Sequence, residues 1–336
     1  MNLLHRRPRI TEIAARAGVS TATVDRVING RAGVRSVTVG RVNAAIREIH
    51  DLPPAIGPAV TGRIDVVLAD DGSPVTHDLG AALVGCGRRA GIAVEVAFAE
   101  PMNPAELAAR LHACAEQGSL GVAVQALDHV LVRAALDRLG AARVPIVAVL
   151  TNIPSTNVLA YIGLDNRAAG RTAGLLMGRF CRRPGTLAIV WGGELYRSHE
   201  ERESGFRNIL RFERPDLRCL EVITGNDDPA VARDRLGEVL AAQRDIAGIY
   251  CVGGGITGVV AAVEAAGLEG SLVVIGHNYN SQTAPALLCG TIDAVIHQDT
   301  ARIAERAFAA LMTRTPPPPD SGIAIEIVTR ENNAYR

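Results

Sequence analysis

The sequence contains no lysine: all 35 Lys-or-Arg positions are arginine, which reads first as compositional habit and says little about function. Aromatic residues make up only 3% of the chain, which argues against a ligand cleft walled by stacked rings. The six cysteines (86, 114, 181, 219, 251, 289) are dispersed, with no CxxC pair and no His/Cys cluster at metal-ligand spacing. That pattern points to reduced thiols rather than a disulfide framework, with no metal or other cofactor expected. No apolar run approaches the roughly 18 residues of a membrane span, and "MNLLHRRPRI" has no signal-peptide core, so a cytoplasmic protein is expected. No heptad-bearing tail follows "TRENNAYR", which excludes a coiled-coil tetramer from the expectation.

What is present divides unevenly along the 336 residues, a length that suggests roughly two or three compact units. Net charge is zero overall, yet residues 1–63 hold ten arginines against four carboxylates, an excess of six positive charges that the remainder must offset. Such asymmetry marks a nucleic-acid-binding head on a more acidic body.

Within the head, "RITEIAARAGVSTATVDRVING" reads as two short helices. Thr11 is placed to cap the first, whose apolar Ile13, Ala14 and Ala17 fall at helical spacing; Gly18 ends it. Ser20 caps the second, which turns Val24, Val27 and Ile28 inward. A third amphipathic segment, "SVTVGRVNAAIREI", completes the expected core through Val39, Val42, Ala45, Ile46 and Ile49. This is a helix-turn-helix pattern, and the second helix would present Thr21, Ala22 and Arg26 to the major groove. Arg26 suits guanine O6 and N7, Ala22 a thymine methyl, and Thr21 a base or phosphate. Ser20, Thr23, Arg31 and Arg35 are better placed for phosphates.

These residues, with "GVRSVTVGRVNAAIREI" after them, resemble the DNA-binding head of the LacI/GalR family of bacterial transcription repressors. The resemblance implies that Thr21, Ala22 and Arg26 are the base-reading positions. Two departures stand out. Asp25 replaces a frequent Ser, and is expected to accept from cytosine N4 or to pair with Arg26. Residues 50–63, "HDLPPAIGPAVTGR", replace a hinge helix with three prolines and two glycines, so a plain tether is at least as good a reading.

From Arg63 onward, β-branched runs alternate with helical patterns, as in "IDVVLA", "GVAVQ", "PIVAVL", "TLAIVW", "AGIYCV", "SLVVIG" and "TIDAVI". The alternation runs twice, implying two doubly wound parallel sheets with a cleft at their strand carboxyl ends. The fold class is therefore α/β, a small all-α head followed by a core similar to type I periplasmic binding proteins. The head spans 1–50, the linker 51–62 and the body 63–336. The family's three crossings imply a first lobe of 63–163 plus 294–322 and a second of 164–293 plus 323–336.

Arg202, in the helix after "TLAIVW", is suited to hold hydroxyls or a carboxylate and matches the family's ligand Arg. Asn278 in "VVIGHNYN" and Gln298 in "AVIHQDT" stand at the family's sugar-binding positions. His77, Asp78, Asp128, Thr151 and Asn152 occupy the corresponding first-lobe loops. The first loop lacks the family's pyranose-stacking aromatic pair, for which Tyr196 and Trp191 are candidate substitutes. Asp165 and Asn166 match a crossover motif and are assigned to hinge and helix capping. In "YCVGGGITG", three glycines stand where relatives carry an Asn-Asp ligand contact, leaving that contact absent or made by backbone.

The same glycines (253, 255, 258) spell GxGxxG, which makes an NAD-dependent oxidoreductase the alternative. It requires an acid at the end of the next strand, where Gly276, His277 and Asn278 stand instead. The expectation is a non-enzymatic, ligand-responsive repressor, a homodimer on operator DNA, sensing a sugar, polyol or related hydroxylated metabolite, with a nucleoside or sugar phosphate as the next alternatives. The sign of the response stays open.

Overall fold

A computed structural model describes residues 10–28, 34, 38, 41, 42, 45, 62–70, 72–318 and 322–333. The chain divides into two compact units, a head that ends before Gly62 and a body that holds Gly62–Arg88 and Ala93–Arg336.

In the head, α1 (Ile10–Ala17) and α2 (Thr21–Ile28) are joined by a turn through Gly18, whose φ of +61° a side chain would strain. Thr11, expected at the cap, lies inside α1. Ser20 caps α2: its Oγ accepts from the Thr23 N–H at 3.2 Å. Ile13, Ala14, Ala17 and Val24 bury their side chains with Val42 and Ala45 of the third segment, and Val19 and Val27 pack on them. Arg41 donates from Nη2 to the Ala17 carbonyl at 2.6 Å, serving an acceptor that the end of α1 leaves without a helical partner. Val39, Ile46 and Ile49 lie outside the described residues, as do Arg31, Arg35 and the linker apart from Gly62.

The body holds two sheets. The first, in the order β2-β1-β3-β4-β5, comprises β1 (Arg63–Ala69), β2 (Ala93–Ala99), β3 (Gly121–Val124), β4 (Ile146–Val149) and β5 (Val158–Ile162), all parallel. α3 (Pro74–Ala90), α4 (Pro104–Glu116) and α5 (Val130–Ala141) connect its first four strands. β3 and β4 are buried at every position, which is why they read as unbroken apolar runs rather than as an alternating pattern.

The second sheet, β11-β10-β9-β8-β6-β7, comprises β6 (Gly185–Trp191), β7 (Leu217–Thr224), β8 (Ile246–Cys251), β9 (Val273–His277), β10 (Ala294–His297) and β11 (Glu326–Val328). Its pairs are parallel except β10 with β11. α6 (Asn166–Phe180), α7 (Arg197–Glu213), α8 (Pro229–Ala242), α9 (Ile256–Ala265) and α10 (Thr283–Cys289) belong to it, while α11 (Thr300–Thr313) packs on β3, β4 and β5.

One boundary expected from the sequence is corrected. Residues 294–297, expected in the first lobe, lie in the second sheet: β10 pairs with β9, Ala294 opposite Ile275 and Ile296 opposite His277. A strand buried along most of its length needs neighbours on both edges, and β9 and β11 supply them. The chain therefore crosses at Gln298 and Asp299, where the Asp299 carboxylate accepts from Arg302 N–H at 2.9 Å and caps α11.

Order reverses between β1 and β3 in one sheet and between β6 and β8 in the other. Strand carboxyl ends at such reversals are where open α/β sheets leave a crevice.

Candidate functional site

On the head, Ser20, Thr21, Ala22 and Arg26 are exposed and Thr23 half-buried, while Val24 is fully buried on the opposite side of α2. The helix thus offers one polar face of the composition a major groove accepts.

In the body, loops from both sheets meet around a cavity of about 140 Å³. From the first lobe come Ser73 and Thr76 after β1, Gln125 after β3, and Thr151 after β4. From the second come Tyr196, Ser198, His199 and Arg202 after β6, Asp227 after β7, Gly253 to Gly255 after β8, His277, Asn278 and Asn280 around the end of β9, and Gln298 after β10. The lobes touch at its rim: Gln282 Nε2 donates to the Gly72 carbonyl at 3.1 Å, and Ser198 N–H to Thr151 Oγ1 at 3.2 Å.

Arg202 is 4% exposed and sits in the wall. Its Nε donates to Asn166 Oδ1 and its Nη1 to the Val252 carbonyl, each at 2.8 Å. Burial depresses its pKa, but a guanidinium keeps its proton in any protein. Asn166 donates in turn to the Tyr161 hydroxyl at 2.9 Å, so the crossover between lobes holds the arginine. Asp165 alone does the capping expected of the pair, accepting from Ala168 N–H at 2.9 Å.

Gln298 Nε2 donates to Asn278 Oδ1 at 3.0 Å, whereas Gln298 Oε1 is buried without a hydrogen-bond partner. Beneath it, His277 Nε2 lies 2.7 Å from the Tyr250 hydroxyl, and Tyr250 stacks on Phe206 with centroids 4.4 Å apart.

Of the ligand residues read from the sequence, the structure brings together Thr151, Arg202, Asn278 and Gln298. It does not bring the other four. His77 and Asp78, one and two residues on from the inward Thr76, fall on the outer face of α3; His77 Nε2 lies 3.4 Å from Asp70 and its ring 4.4 Å from Phe98. Asp128 pairs with Arg133. Asn152 accepts from the next backbone N–H, that of Ile153, at 2.9 Å, a turn contact. Tyr196 reaches the cavity wall as suggested, whereas Trp191 donates to Thr224 Oγ1 at 3.1 Å and does not line it. The glycine run has a local purpose: a Cβ at Gly253 would overlap the His199 ring and one at Gly254 the Asp227 carboxylate.

Burial and then the neighbouring Arg202 push the His199 pKa down to about 3, and the same causes, with His199, hold His277 well below its usual value. The unfolded imidazole protonates near pH 6.5, so stability tied to neutral His199 is present above that pH and is lost as pH falls toward 3. The urea midpoint is expected to drop between pH 7 and pH 4, and His199→Gln should flatten that drop; an equal drop in both proteins rules His199 out as a source.

Among the described residues no helix is long and apolar enough to cross a membrane, and no group of three or more His, Cys, Asp or Glu side chains is placed to hold a metal.

Residues 64–314 match the periplasmic binding protein domain model, and residues 9–53 match the model of bacterial regulatory proteins, lacI family. The chain is 26% identical to the HTH-type transcriptional repressor PurR of Pectobacterium carotovorum, over 95% of this chain and 93% of that protein. It is 35% identical to the sucrose operon repressor of Pediococcus pentosaceus over 77 residues, 22% of this chain and 24% of that one. An ABC transporter solute-binding protein from Burkholderia graminis, solved with D-arabinose, superposes with a TM-score of 0.78 at 19% identity, covering 84% of this chain and 99% of its own. GanP, a glucose-galactose binding protein from Geobacillus stearothermophilus, gives 0.74 at 19% identity over 81% and 99%. At those identities the superpositions show the fold of the body.

Proposed function

This chain is a DNA-binding transcriptional regulator of the lacI family whose body belongs to the periplasmic-binding-protein domain family, and from that premise we propose that it is a repressor controlled by a small hydroxylated metabolite, a sugar or polyol, held between the two lobes. The family is one of regulators and not of enzymes, and the glycine run serves the cleft wall rather than a dinucleotide.

One observation carries the ligand reading: a small cavity lined from both lobes by one guanidinium, one carboxylate, several side-chain amides and hydroxyls, two imidazoles and one tyrosine, with a few aliphatic side chains between them. A lining dominated by hydrogen-bonding side chains fits a compact molecule recognised through hydroxyl groups. The body's likeness to sugar-binding proteins, one of them solved with D-arabinose, points the same way.

Residues 1–50 act as the DNA-binding head, 51–62 as the tether, and the rest as effector domain and dimer seam. Two heads on one homodimer read half-sites about 10 base pairs apart, or a similar spacing, in the operator. A ligand touching both lobes favours their closed arrangement. A difference of about 1–3 kcal/mol between its affinities for the DNA-bound and free forms is enough for regulation. Acting on DNA, the protein works in the cytoplasm.

The first experiment is thermal unfolding of the full chain against sugars, polyols, nucleosides and NAD(H), followed by operator titration with each hit. A partner at a hundredfold excess over Kd stabilises by about 2.7 kcal/mol. Stabilisation by NAD(H) alone would overturn the reading. For the head, Arg26→Ala is expected to relax preference at one base pair at a cost of about 1–3 kcal/mol, seen in a binding-site selection. Selected sequences identical to those of the wild type would reject Arg26 as a base reader.

A further inference from the structure

Resting on that reading, we infer that Tyr161, which does not line the cavity, is the positioning residue that sets both of its walls: the hydroxyl holds the turn carrying Leu150 and Thr151 and, through Asn166, aims the Arg202 guanidinium. The starting observation is a backbone outlier in the first-lobe wall. Leu150 takes φ +63°, and Thr151 N–H donates across it to the Val149 carbonyl at 2.7 Å, a three-residue turn that is rare and costly for any residue but glycine. Leu150 and Thr151 both line the cavity, so the strained turn is part of its wall. A conformation of this kind persists only where its surroundings impose it.

Tyr161, on the neighbouring strand β5, makes the imposing contact. Its hydroxyl lies 3.2 Å from the Leu150 carbonyl and 3.0 Å from the Leu164 carbonyl, and it accepts from Asn166 Nδ2 at 2.9 Å. Burial raises the pKa of the phenol, which keeps its one proton and commits it to the two carbonyls. Toward Asn166 the oxygen can then only accept. That fixes the polarity of the Asn166 amide: the NH2 end faces the tyrosine, and Oδ1 is left to receive Arg202 Nε at 2.8 Å. Asn166 is 1% exposed, so no bulk water replaces the hydroxyl if it is removed. The local chain is shaped to admit this oxygen, since a Cβ on Gly163 would overlap it.

These contacts close a circuit through both lobes. From Tyr161 it passes to Asn166 and Arg202; one turn back along α7, Ser198 N–H donates to Thr151 Oγ1 at 3.2 Å; and Thr151 adjoins Leu150, whose carbonyl returns to Tyr161. The first-lobe turn, the crossover and the arginine meet at one phenolic oxygen. Without it the Leu150 turn loses a contact that imposes its strain, and the Asn166 amide is free to rotate away from Arg202. Both walls then lose their alignment toward a ligand that Tyr161 does not itself reach.

The test is calorimetric titration of the full-length wild type with D-arabinose, D-ribose, D-glucose, D-galactose, ribitol and D-mannitol, repeated on Tyr161→Phe, Asn166→Ala and the double variant, with urea unfolding of each protein alone. At least one of the six is expected to bind the wild type. Tyr161→Phe removes the oxygen alone and should weaken that ligand about 3- to 10-fold, the range of a neutral hydrogen bond. Tyr161→Phe and Asn166→Ala together should weaken it by less than the product of their separate effects, because they break one chain of contacts. A merely structural hydroxyl would lower the urea midpoint and leave both the ligand's Kd and this coupling unmoved. Gly163→Ala keeps the hydroxyl but displaces it; it should weaken the ligand in the same range, and it decides the matter if the Phe variant does not fold. Wild-type affinity in Tyr161→Phe, or effects that simply multiply in the double variant, overturns the inference and leaves the sensor intact. Failure of all six to bind the wild type overturns the hydroxylated-ligand reading, and the inference with it.

Discussion

Arg202→Ala is expected to abolish the effector response of operator binding and to leave operator affinity without effector unchanged. The guanidinium is the one buried cation in the cavity wall, and two of its nitrogens are held at 2.8 Å by Asn166 and Val252, which aim the third. Truncation removes the ligand's charged donor and also releases Asn166, whose amide joins the arginine to Tyr161. A hydrogen bond to a charged group contributes about 1.5–3 kcal/mol, so losing the donor should weaken effector binding by about 10- to 100-fold. The α2 face is untouched. Fluorescence anisotropy of a labelled operator, titrated with protein at zero and saturating effector, separates the two effects. A variant that still responds at wild-type effector concentrations would remove Arg202 from the site. Arg202→Lys is not a rescue, because an ammonium cannot reproduce the planar fork that reaches both acceptors.

How much of this was legible in the sequence depends on which physical rule each residue answers to. The alternation of β-branched runs and helical stretches announced both sheets, because buried parallel strands leave an unambiguous apolar trace. β10 was misplaced because "AVIH" fits either sheet equally well; only its pairing with β9 decides. In the site, residues just past a strand end are legible where the first loop residue itself lines the cavity, as with Asn278 and Gln298. Ser73 and Thr76 were missed in favour of His77 and Asp78, because which side of α3 faces the cleft depends on how the helix is rotated against the sheet. The strongest unused signal was "GNDDP". Two adjacent aspartates precede a helix that needs one cap; Asp228 makes that cap, and Asp227 instead accepts from Gly254 N–H in the cleft wall. His199 and His277 carried no such mark, since a buried neutral imidazole looks in sequence like any other histidine.

Gly170→Val is expected to cost about 3 kcal/mol or more of stability and to eliminate effector binding with it, although residue 170 does not line the cavity. α6 carries Gly170, Gly174 and Gly178 four residues apart, hence on one face, and α7 lies against that face so closely that a Cβ at Gly170 would overlap the Arg202 carbonyl. Backbone cannot step aside as a side-chain tip can, so the helices must part, and overpacking of this kind costs about 1–3 kcal/mol or more. The same approach brings Arg202 to Asn166 on the first turn of α6, and a separation of even an ångström breaks a 2.8 Å hydrogen bond. Helix packing and ligand recognition are thus one contact. Gly237, in the middle of α8, provides the control: nothing lies within 4 Å of its Cβ position, so Gly237→Ala should instead stabilise by about 0.5–1 kcal/mol through the better helix propensity of alanine. Urea unfolding of the two variants should move the midpoint in opposite directions. Equal midpoints for wild type and Gly170→Val would mean that the α6–α7 contact yields without cost, and the close approach would no longer explain how Arg202 is positioned.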